Sequence, residues 1–138
     1  MRRTSPIILV AAGLVAAGCG GSSDSSETEA AEETTVSAKE ATAEIDAVRT
    51  GLAASLAAYR RGDDAQAEEL AAEAYLQHFE LVEGPLEERD EELNEELEDQ
   101  IRETLRDRIQ DGASVKQVAA LVDTIDHELD EAERALGS

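Results

Sequence analysis

Four stretches of three-and-four hydrophobic spacing, joined by connections only a few residues long, predict an all-α domain: an up-down-up-down antiparallel four-helix bundle over residues 38–138. Roughly 100 residues are enough for one compact domain with a single core. Short connections force consecutive helices to be antiparallel neighbours, so that their apolar stripes share that core.

In the first stretch Ile45, Val48, Leu52, Leu56 and Tyr59 are spaced by 3, 4, 4 and 3 residues, and the helix is expected to stop near Arg61-Gly62-Asp63. The second is expected to begin at Asp63 or Asp64, whose carboxylate can cap free amides, and to run through Ala67, Leu70, Ala74, Tyr75 and Val82 until Gly84-Pro85 break it. The third carries Leu86, Leu93, Leu97, Ile101, Leu105 and Ile109 between acidic stretches and meets Gly112, a natural terminator. The fourth starts at Ser114 as cap and sets Val115, Val118, Val122, Ile125, Leu129, Ala132 and Leu136 at near-heptad spacing.

Counting 100° per residue, His78 falls near the centre of the second helix's apolar face, where an imidazole needs a hydrogen-bond partner. Two readings are open for it: a satisfied core or boundary residue, or a metal ligand or pH-sensitive contact. The same count puts Asp90 and Arg108 on the inner side of the third helix, while His127 points to solvent. Glu80 and Glu83 lie three residues apart with Glu73 farther back on the same face, an arrangement of oxygen donors suited to hard cations. A solvated face in a chain with 33 acidic residues reads the same way.

Ahead of the helical region, Met1-Arg2-Arg3 begins positively, residues 7–17 are apolar, and Ala16-Ala17-Gly18 sets small residues before Cys19, which is the single cysteine. This order predicts a secretory signal over residues 1–18 ending in a lipobox, with lipid on Cys19 and no internal disulfide. The apolar run is too short to span a bilayer, which takes about 20 residues. Residues 19–37 are Gly, Ser, Thr, Glu and Ala with little to bury, and are read as a flexible acidic tether reaching roughly 25 Å. The expected location is therefore the extracytoplasmic side of a cell membrane, held by lipid.

The chain's net charge of −21 becomes −23 once Arg2 and Arg3 leave with the signal. Such a surface repels nucleic acid and anionic headgroups, so no nucleic-acid partner is expected and membrane attachment falls to the acyl chains. Aromatics amount to 2%, too few for a stacking platform. Neither histidine has Glu three residues before it, and His-Glu-x-x-His, a glycine-rich phosphate loop and Gly-x-Ser-x-Gly are all missing from the letters. No enzymatic activity is expected.

The run Ala58 to Asp63 (AYRRGD), then Glu73 to Leu86 (EAYLQHFELVEGPL), Leu93 to Glu98 (LNEELE), Leu105-Arg106 and the closing ELDEAERAL resemble the extracytoplasmic N-terminal domain of bacterial oxidase-coupled iron permeases, over roughly residues 41–136. The specific part is Tyr75 to Glu83, with Phe79, Glu80 and Glu83. In that family the domain precedes a membrane permease carrying Arg-Glu-x-x-Glu motifs, and this chain has neither. What the resemblance implies is an accessory in iron uptake that holds or presents iron to a separate permease, with Glu80, Glu83, His78 and Glu98 as candidate ligands. The alternative is a non-catalytic acidic helical module that docks on another envelope membrane protein, its charge serving solubility or steering.

Overall fold

A computed structural model describes residues 36–137. The signal segment, Cys19 and the tether up to residue 35 lie outside the described residues. Helix α1 spans Ala38–Arg60, α2 residues 64–87, α3 residues 91–110 and α4 Val115–Leu136, with no strand among the described residues. The fold is an all-α four-helix bundle. Contacts run around a ring, α1 with α2, α2 with α3, α3 with α4 and α4 back to α1. None of these helices is long and apolar enough to cross a membrane.

Local sequence sets the helix ends. Ser37 and Ser114 each form a capping box, with Glu40 and Gln117 respectively reaching back to the cap amide. Asp63 caps α2 by accepting from the Gln66 amide at 3.2 Å. The turns after α1 and α3 place Gly62 at φ 78° and Gly112 at φ 67°, the left-handed region that ends helices and that side chains resist.

The core is one cluster built from all four helices, with Ile45, Val48 and Leu52 on α1, Phe79, Val82 and Leu86 on α2, Leu97, Ile101 and Leu105 on α3, and Ile125 and Leu129 on α4 all sealed from solvent. Two contacts fix α1 against its neighbours. The buried Ser55 hydroxyl donates to the Ala67 carbonyl at 2.7 Å, and the Tyr59 hydroxyl donates to the Ala113 carbonyl in the α3–α4 turn at 2.5 Å. Gly51 lets α1 and α2 approach closely: a Cβ there would sit 2.7 Å from the Ala74 Cβ.

The second helix does not stop at Gly84-Pro85. It continues through both to Glu87, and the break comes at residues 88–90. An interior proline forfeits one backbone hydrogen bond at a cost of about 3 kcal/mol. Val82 and Leu86 flank it and are completely buried, and each recovers roughly 1.5–3 kcal/mol by leaving water. Leu86 thus closes α2 and does not open α3.

Both middle helices contain a π turn, Ala74–Phe79 in α2 and Gln100–Thr104 in α3. A π turn takes up one residue more than an α turn, so a uniform 100° count drifts past it. Three residues depart from the expected faces. His78 lies at the boundary of α2, not at the centre of its apolar face, and Phe79 is the residue fully inside. Arg108 on α3 is exposed. Asp90, at the other end, precedes α3 altogether and serves as its cap, accepting from the Leu93 amide at 3.1 Å. On α4, Val115 is 42% exposed in the first turn, while Leu121, outside the heptad count, is buried.

Candidate functional site

A group of polar side chains collects where α2 faces α3, around one residue from each π turn, Tyr75 and Arg102. Tyr75 belongs to the first π turn, and its ring lies under the guanidinium of Arg102 from the second, 6.0 Å from charge to centroid. The ring also packs beside Phe79 with centroids 6.1 Å apart. Tyr75 is only 7% exposed, and its hydroxyl donates to Glu83 Oε1 at 2.9 Å. Burial, then the hydrogen bond to a carboxylate, push its pKa up to about 12, so the phenol is a fixed donor and no nucleophile at neutral pH.

Glu83 is half-buried, and burial raises its pKa. The Tyr75 hydrogen bond and the positive charge of Arg102 oppose that rise, while the carboxylates of Glu98 and Glu80 add to it. Glu98, on α3, receives Arg102 Nη1 at 2.5 Å, and Glu103 receives Nη2 at 2.9 Å. One guanidinium therefore serves a group of carboxylates that outnumber it and repel one another.

Of the four residues singled out as ligands, Glu83 on α2 and Glu98 on α3 are linked through Tyr75 and Arg102, the first by the Tyr75 hydroxyl and the second by the Arg102 guanidinium. Glu80 is exposed one turn before Glu83 and acts on it through charge. His78 is set apart: its Nδ1 lies 2.7 Å from Glu44 Oε2 on α1, tying α2 to the opposite neighbour. Among the described residues no three His, Cys, Asp or Glu side chains close on a point that would hold a metal ion. What the cluster offers is carboxylate oxygens, with the Tyr75 hydroxyl donating to one of them and Arg102 as a resident counter-ion. Arg102 was not recognisable from the letters as part of it, although it follows Glu98 by four residues and so shares its side of α3.

A second polar region crosses α1 and α4. Arg49 lies between Asp126, Asp130 and Glu133, one acid per turn of α4, at 3.1, 2.5 and 3.3 Å. The Nε contact to Asp126 lacks hydrogen-bond geometry and is charge attraction alone. Its acids are half or more exposed except Glu133, so water screens this fan.

Comparison of the chain with family models, with curated proteins and with solved structures gives no match to any of them.

Proposed function

We propose that this protein is a lipid-anchored extracytoplasmic module, attached through Cys19, that binds iron at the α2–α3 face and presents it to a separate permease in the membrane. The observation that carries the reading is the chain of contacts between α2 and α3, with the Tyr75 hydroxyl on Glu83, the Tyr75 ring under Arg102, and Arg102 on Glu98. Like-charged carboxylates gain from a cation placed between them, and oxygen donors suit hard ions. Tyr75, Glu83 and Glu98 also lie within the segments that carry the resemblance to iron-permease domains. The tether would let the bundle move between capture and delivery.

The test is calorimetric titration of the full chain in detergent with ferrous, ferric, manganese, zinc and calcium ions, beside Glu83→Gln/Glu98→Gln. Selective binding of about one iron per chain that the double variant loses supports the proposal. Equal, weak binding of every ion by both proteins sinks it. A second reading, an acidic module for docking on an envelope protein, draws on Arg102, which already neutralises Glu98 without any metal.

A further inference from the structure

We draw no further inference here: the strongest candidate, the groove between α1 and α2 lined by Ala47, Gly51, Ala54, Leu70 and Ala74, is an unpartnered apolar face built mostly of small residues, and nothing in the structure shows what covers it.

Discussion

The α2–α3 face and the α1–α4 face each join two helices through an arginine and several carboxylates, yet they differ in what lies beneath the arginine. Arg49, a quarter exposed, spreads over Asp126, Asp130 and Glu133 on helices without a π turn. Arg102, nearly half exposed, sits over the buried Tyr75, whose hydroxyl bonds the half-buried Glu83, on helices that each contain a π turn. The exposure of the arginine therefore does not tell which face has polar groups out of water: at α2–α3 it is the phenol and Glu83, not the guanidinium, that burial makes depend on their partners.

The largest way to break the contrast is to remove the anchor of the first π turn. Phe79→Ala takes a fully buried ring from the core beside Tyr75, and a loss of about 3–5 kcal/mol in denaturant melts is expected. The helical circular dichroism of the folded form reports whether the π turn reverts. A loss well under 1 kcal/mol would mean that Phe79 does not pin the distortion.

Next in size is the packing under that turn. Gly51→Ala forces a methyl to within 2.7 Å of the Ala74 Cβ, both of them on helix backbones that must separate. A cost of about 1–3 kcal/mol follows, with the Ser55 to Ala67 hydrogen bond strained in step. The same substitution at Gly84, where a Cβ meets nothing, serves as the control and is expected to be neutral or stabilising.

Acid sharpens the comparison further. Glu83, and Glu128 where Gln100 of the second π turn bonds it at 2.7 Å, both have pKa values raised from 4.5, chiefly by burial. A raised carboxyl binds its proton more tightly folded than unfolded. Its contribution to stability is full below pH 4.5 and is lost as pH rises through the folded pKa. Glu83→Gln is therefore expected to gain melting temperature over the native chain at pH 7 and to lose that advantage toward pH 4.5. An advantage that is the same at both ends of the range would show Glu83 to be fully solvated.

The smallest effect belongs to the Arg49 fan, whose partners Asp126 and Asp130 are half or more exposed. Arg49→Gln is expected to cost at most about 1 kcal/mol, and molar salt should erase the difference between variant and native chain. A salt-resistant loss would show that the partly buried Arg49 is shielded from solvent ions.

Helix number, order and most of the apolar stripes were legible in the letters, because a buried helix face must repeat every three to four residues and because Ser37, Ser114, Gly62 and Gly112 mark ends by their own chemistry. Gly84-Pro85 misled, since a terminator's local cost was outweighed by the burial of Val82 and Leu86 on either side. The candidate site was half legible. Glu83 and Glu98 stood out as acids, but an acid-rich chain offers many, and nothing in the spacing separated them from Glu80 or from His78.

By itself, then, the sequence determined an all-α bundle and a strongly acidic surface, both of which follow from local periodicity and composition. Tertiary structure decided the rest. Packing between helices set His78 against Glu44, put the Tyr75 hydroxyl on Glu83, and laid Arg102, itself paired with Glu98, over the Tyr75 ring. A count along one helix cannot anticipate it, because the register at the site is set by what the neighbouring helices bury.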